Sequence, residues 1–143
     1  MELIKGKDGY MEAIRALYED AFPPAEKKPF AMMEKLEEEG RMEILAAVEE
    51  DRFVGLCITI NVPGSDLSML DYFAISPEIR GGGYGSKALR LILERFRGRR
   101  LIFEIERLDD QAENAEERRR RKSFYMKNGL LESGLMVSCF GVD

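Results

Sequence analysis

Residues 70–96, LDYFAISPEIRGGGYGSKALRLILERF, set three consecutive glycines between a strand-like and a helix-like stretch. No other feature constrains the fold as tightly. Over 70–75 only Asp71 is charged, and the aromatic and branched residues around it favour a strand. Ser76 and Pro77 stop that strand, because proline cannot donate to a sheet ladder. After Arg80, Gly81, Gly82, Gly83, Tyr84, Gly85 and Ser86, the residues Ala88, Leu89, Ile92, Leu93 and Phe96 recur at the spacing of one helical face.

Glycine loses more backbone freedom on folding than any other residue, so three in a row need a reason. They permit positive φ and let a ligand approach the backbone N–H groups. Those amides open a helix, where the first N–H groups lack intrahelical partners and the dipole favours anions. The pattern predicts a phosphate or pyrophosphate site, against the plainer reading of a flexible strand-to-helix turn. Other phosphate loops fit less well. Gly85-Ser86-Lys87 reverses the order of a Walker loop, and Ser86 stands where a dinucleotide fingerprint needs its third glycine. A kinase-type loop belongs to a hairpin rather than to a strand–helix turn.

Arg80-Gly81-Gly82-Gly83-Tyr84-Gly85 fits the pattern Arg/Gln-x-x-Gly-x-Gly/Ala, and in this setting it resembles the acyl-CoA-binding loop of the GNAT superfamily of acetyl-CoA-dependent N-acetyltransferases. Ser123-Phe124-Tyr125-Met126-Lys127-Asn128-Gly129-Leu130 resembles the same superfamily's late motif, in which an aromatic pair ends a helix before a Lys-Asn-Gly turn. The likeness covers the chain from about residue 70 to the end, and the first half only in element order. It implies acetyl-CoA as cosubstrate, a small-molecule or peptide amine as acceptor, and direct transfer. It implies that the backbone from Gly81 to Ser86 holds the pyrophosphate and that edge groups of Phe73 and Ile75 pair with the pantetheine arm. It also implies that Tyr125 protonates the departing thiolate. Many relatives carry an asparagine where this chain has Arg118, and Asn114 is a candidate substitute.

The chemistry needs a base as well, since an alkylamine has a pKa near ~10.4. Two carboxylates stand inside otherwise apolar strand stretches, Asp71 and Glu104, and burial there would raise a carboxylate's pKa toward a useful value. Strict alternation would put Asp71 on one face with Phe73 and Ile75, and Glu104 beside Glu106. The plainer reading of each carboxylate is a strand-end residue paired with an arginine. The plainer reading of Tyr125 is a ring that covers the core with its hydroxyl bonded to backbone.

Ahead of this stretch the pattern predicts a strand over 1–5, a helix over 10–21 and a second helix over 29–39. The second helix starts at Pro29 and stops at Gly40. Residues 25–28 read as a charged loop. Met32 and Met33 are candidates for a substrate cleft or, more plainly, for the core. Strands over 42–48 and 52–60, joined at Glu49-Glu50-Asp51, form an antiparallel hairpin. A strand over 101–106 follows the glycine-loop helix and pairs parallel with 70–75, because a helix crosses over between them. A helix over 116–127 and an extended region over 130–142 complete the chain. In that helix Glu116–Arg120 and Glu117–Arg121 are favourable i,i+4 pairs, and the arginines are an alternative source of contacts to CoA phosphates. The fold class is α/β, or α+β by the stricter convention: a GNAT-like mixed, mostly antiparallel central sheet flanked by helices, with a parallel strand pair splayed around the CoA site.

With 143 residues the chain reads as a single acetyltransferase domain over 1–143. It contains no histidine, which excludes the usual zinc sites and any Ser-His or Cys-His nucleophile pair; no metal is expected. A net charge of −5 argues against general nucleic-acid binding. No apolar run approaches the ~20 residues that span a bilayer, and residues 1–5 lack a secretory signal's pattern, so a cytoplasmic protein with no membrane partner is expected. Cys57 and Cys139 lie in apolar stretches and read as buried free thiols. Relatives carry a further strand after the region equivalent to 130–142. The resemblance therefore implies an incomplete sheet edge, covered by a second copy in a homodimer or left by truncation. Two alternative functions stay open at this point: a CoA-binding sensor or partner module without turnover, and an unrelated nucleotide-phosphate-binding domain.

Overall fold

The hairpin at the centre of the sheet comes from two long apolar runs joined by two residues. Strand β2 (Met42–Glu49) and strand β3 (Arg52–Asn61) pair antiparallel from Met42↔Ile60 to Glu49↔Arg52. Glu50 and Asp51 make the turn at φ +50° and +63°, the backbone that a tight two-residue hairpin requires and that asparagine or glycine would adopt more cheaply. A computed structural model describes residues 1–103 and 108–130 of the chain. The chain forms two compact units, Met1–Phe103 and Glu104–Asp143.

In the first unit, strand β1 (Glu2–Lys5) pairs antiparallel with β2, strand β4 (Leu67–Ile75) antiparallel with β3, and strand β5 (Arg100–Phe103) parallel with β4. The sheet order is β1-β2-β3-β4-β5. Helices α1 (Met11–Ala21) and α2 (Phe30–Glu38) precede the hairpin, and α3 (Tyr84–Arg95) supplies the crossover from β4 to β5. This is the mixed, mostly antiparallel sheet with one parallel pair that the sequence predicts. The β4 strand begins three residues earlier than the sequence suggests. The predicted continuation of β5 through Glu104 to Glu106 and the final region 131–143, with Cys139, lie outside the described residues.

Period-two alternation divides the core between the two faces. Ile44, Ala46, Val48, Leu56, Ile58 and Tyr72 pack with Ile14, Leu17 and Tyr18 of α1 and Phe30 and Met33 of α2. Leu45, Cys57 and Leu70 pack with Ile92 and Phe96 on the α3 side, and Ala47 and Val54 with Ala88. Full burial of each Leu, Ile, Val, Met or Phe side chain among them contributes about 1.5–3 kcal/mol. Met33 is fully buried and Met32 is exposed, so core packing accounts for the first and nothing for the second. Glu37 of α2 accepts a hydrogen bond from the Ile44 amide at 3.0 Å, which ties the end of α2 to the start of β2.

Two bulges adjust this alternation. One lies opposite Ala47/Val48, where Val54 is the extra residue of β3. The other lies in β4: Ile58 pairs with Tyr72 and Thr59 with Leu70, leaving Asp71 as the extra residue. A bulge bends its strand and re-aims a side chain. β4 pairs with β5 from Leu67↔Arg100 to Leu70↔Phe103. In the second unit, helix α4 (Ala115–Lys127) runs into Asn128, whose side chain donates to the Phe124 carbonyl at 2.8 Å, and Gly129 follows at φ +91°. The Lys-Asn-Gly turn is thus a helix C-terminal cap.

Candidate active site

The strand-to-helix turn has the conformation that its glycines foretell. Ser76 leads a short 3-10 turn over Pro77–Ile79, Arg80 is extended, and Gly81 and Gly83 sit at φ +91° and +78°. Gly83 caps α3, and Lys87 is the first residue whose amide bonds back into the helix, to the Gly83 carbonyl at 3.2 Å. The amides of Tyr84, Gly85 and Ser86 therefore open the helix without an intrahelical acceptor. Gly81, Gly82 and Gly83 are exposed. A Cβ on Gly81 or Gly83 would meet nothing within 4 Å, whereas one on Gly82 would lie 2.7 Å from the Tyr84 ring. The loop thus leaves open space at Gly81 and Gly83, just ahead of amides without intrahelical acceptors, with the exposed cations Arg80 and Lys87 before and after them in the chain. A pyrophosphate fits that chemistry.

The strand leading into the loop is oriented by one hydrogen bond. The Ser76 amide bonds the Val54 carbonyl on β3 at 2.9 Å. Backbone groups of a strand point alternately to its two sides, so the amides of Phe73 and Ile75 face the opposite edge, the side on which β5 pairs up to Leu70. Arg80 marks the same edge, because its Nε donates to the Ile75 carbonyl at 3.1 Å. The side chains of Phe73 and Ile75 pack toward Ala88 and Tyr84 on the α3 side.

Asp71 does not share that face. The bulge shifts the alternation by one residue, so Leu70 joins Phe73 on the α3 side while Tyr72 and Ala74 face α1 and α2. The Asp71 carboxylate instead meets Lys28, with Oδ2 2.6 Å from Nζ and the two side chains 14% and 17% exposed. Lys28 Nζ lies 5.3 Å from the centre of the Tyr72 ring. Tyr72 donates to the Glu26 carbonyl at 2.5 Å and accepts from the Lys28 amide at 3.2 Å, while Tyr18 donates to the Lys28 carbonyl at 2.7 Å. Burial holds both phenols above the ordinary tyrosine value, and Asp71 nearby adds to the effect. The supposed charged loop is therefore a strap clamped by two buried tyrosines. Sequence reasoning missed Lys28, Tyr18 and Tyr72. The available signal was the set of prolines bracketing the loop, Pro23, Pro24 and Pro29, which mark a rigid connection rather than a loose one.

Of the other predicted residues, Glu104 lies outside the described residues. Tyr125 belongs to the second unit, near the end of α4. It is partly buried, with its ring 5.4 Å from that of Phe124 in an edge-on arrangement and its carbonyl accepting from the Leu130 amide at 3.2 Å. Asn114 accepts from Arg118 Nε at 2.8 Å, so the two candidates for a CoA contact there are bonded to each other. Glu116 is paired by Arg119, at 3.3 Å, rather than by Arg120. Cys57 is buried and free, and burial raises its thiol pKa. Among the described residues no group of three or more His, Cys, Asp or Glu could hold a metal, and no helix is long and apolar enough to cross a membrane.

The sequence model of the acetyltransferase (GNAT) family matches residues 11–129. The chain belongs to the GNAT acetyltransferase family. The match runs from α1 to the Lys-Asn-Gly turn and includes both motifs. This removes the reading of an unrelated nucleotide-binding domain. No curated protein matches the sequence. Among solved structures, this GNAT domain is similar to a GNAT-family acetyltransferase from Bacteroides thetaiotaomicron, at 22% identity and TM-score 0.73, over 90% of this chain and 71% of that one. It is similar to an aminoglycoside acetyltransferase from an uncultured soil metagenomic sample, solved with sisomicin, at 13% identity and TM-score 0.69, over 95% and 90% of the two chains. A ribosomal-protein-alanine N-acetyltransferase from Brucella melitensis aligns at 17% identity and TM-score 0.62, over 95% of each chain. At these identities the likeness establishes the fold.

Proposed function

We propose that this GNAT domain transfers an acetyl group from acetyl-CoA to a primary amine by direct attack, in the cytoplasm. The observation that carries the reading is the open row of helix-initiating amides at Tyr84, Gly85 and Ser86, reached through glycines at positive φ and set at the end of β4. Acetyl-CoA supplies the activated acyl group and a thiolate as leaving group. The backbone from Gly81 to Ser86 holds the pyrophosphate, with Arg80 at its entrance. The amides of Phe73 and Ile75 align the pantetheine arm along the β4 edge, and one of them polarises the thioester carbonyl, as positioned backbone donors do.

Asp71, or Glu104, takes the proton that the acceptor amine must lose. Tyr125 Oη gives a proton to the sulfur. A thiol has a pKa near ~8.5 and tyrosine one near ~10, so the phenol stays protonated and able to donate at neutral pH. On this reading residues 1–143 serve as a single acetyltransferase domain. Aminoglycosides and a ribosomal-protein alanine, the acceptors named for two of the similar enzymes, are two of the amine classes to test. A buried free Cys57 suits a reducing compartment. The experiment is release of free thiol from acetyl-CoA across a panel of primary amines. Amine-dependent release supports the reading. Tight acetyl-CoA binding with no release from any amine would favour a CoA-binding module instead.

A further inference from the structure

Lys28 sits in a position unusual for a lysine in a surface loop. Its backbone is clamped on both sides, the amide by the Tyr72 hydroxyl and the carbonyl by the Tyr18 hydroxyl. Its side chain turns inward past the Tyr72 ring and ends 2.6 Å from Asp71 Oδ2. Asp71 is the extra residue of the β4 bulge. If Asp71 is the base, the acceptor's amine must come within hydrogen-bond reach of this carboxylate. The Lys28 ammonium occupies that place.

We infer that the Asp71 carboxylate and the Tyr72 ring form the seat for the acceptor's ammonium, and that Lys28 holds the seat as a tethered surrogate until the acceptor displaces it. The inference rests on the acetyl-transfer reading above. An aromatic face beside a carboxylate is a general receptor for an alkylammonium. The surrogate also defines the class of ligand: a primary ammonium on an unbranched methylene arm, lying along an aromatic ring. A free amino acid offering its α-amine would bring its own carboxylate against Asp71. Exchange of one ammonium for another leaves Asp71 paired throughout, so the displacement avoids a buried lone charge.

Lys28→Ala opens the slot, and n-butylammonium is the probe. The expected result is a saturable rise in the melting temperature of Lys28→Ala, larger than for wild type, absent with n-butanol and absent in Lys28→Ala/Asp71→Asn. In the thiol-release assay the KM for n-butylamine falls about tenfold in Lys28→Ala, as for a seat that Lys28 holds about nine-tenths of the time, and the change falls on KM rather than kcat. Should Lys28→Ala fail to fold, Lys28→Gln keeps the stem without the charge, and its KM is read in the same way. Thiol release with no rescue and no fall in KM would overturn the seat and leave the acetyl-transfer reading standing. Rescue without thiol release from any amine would leave a cation site but overturn both its assignment to the acceptor and the acetyl-transfer reading.

Discussion

The glycine loop and the Lys28 strap both attach to β4, and they are built in opposite ways. The loop is backbone. Its glycines are exposed, a Cβ on Gly81 or Gly83 would meet nothing, and its first helical amides wait for acceptors outside the helix. The strap is side chains. Tyr18, Lys28, Asp71 and Tyr72 bond to one another and to the strap's own carbonyls. One region leaves amides without intrahelical partners beside open glycines, and the other is filled by the chain's own groups. A shared cosubstrate can be held by a fixed backbone device. An acceptor that differs between relatives has to be recognised by side chains, and those are free to vary.

The largest expected effect lies outside both regions. Tyr125→Phe removes only a proton donor. It is predicted to lower turnover by ~10²–10⁴-fold while acetyl-CoA affinity stays near wild type. Unchanged turnover in steady-state assays would make the hydroxyl structural. Asp71→Asn comes next, with a drop of about 10²-fold in turnover. The melting shift produced by acetyl-CoA is expected to persist in this variant, which would separate the two regions functionally. Loss of both together would show that they are not independent.

What the sequence revealed follows from the same contrast. A backbone device leaves a contiguous signature, and Arg80-Gly81-Gly82-Gly83-Tyr84-Gly85 announced its turn and its helix. The hairpin and the helices were readable because their periods are local. The strap brings together residues from α1, the 22–29 connection and β4, and no local pattern encodes such a meeting. Asp71 shows the failure most clearly. Counting by twos put it with Phe73 and Ile75, but a single bulge residue reversed the face. Sequence alternation carries no sign of a bulge. The charge count of residues 25–28 likewise implied solvent, whereas Lys28 finds a carboxylate far along the chain.

Substitutions sharpen the comparison further. Tyr72→Phe leaves the Glu26 carbonyl and the Lys28 amide without their shared partner, a loss of about 1–3 kcal/mol in denaturant unfolding. The buried phenol also gives this variant a distinct pH signature. A pKa raised in the folded state means stability that is present below the unfolded value near ~10 and lost as pH rises through the folded value. Wild-type stability is therefore expected to fall as pH rises above about 10, and the Tyr72→Phe curve to fall less steeply. The smallest effect is expected at a site in neither region. Asp51→Gly relieves a non-glycine residue at φ +63° and is predicted to raise stability by about 1 kcal/mol, with acetyl-CoA binding and turnover unaltered.

The central claim is that the open amides behind Gly83 are the cosubstrate's anchor, and thermal unfolding with and without acetyl-CoA tests it most directly. At 100 times its dissociation constant, acetyl-CoA is predicted to stabilise the wild-type fold by about 2.7 kcal/mol. Gly83→Leu carries a backbone cost of its own of about 1–2 kcal/mol, so each protein is compared with itself. The account predicts that the acetyl-CoA gain vanishes in Gly83→Leu while the ligand-free variant still unfolds cooperatively. An undiminished gain in that variant would contradict it.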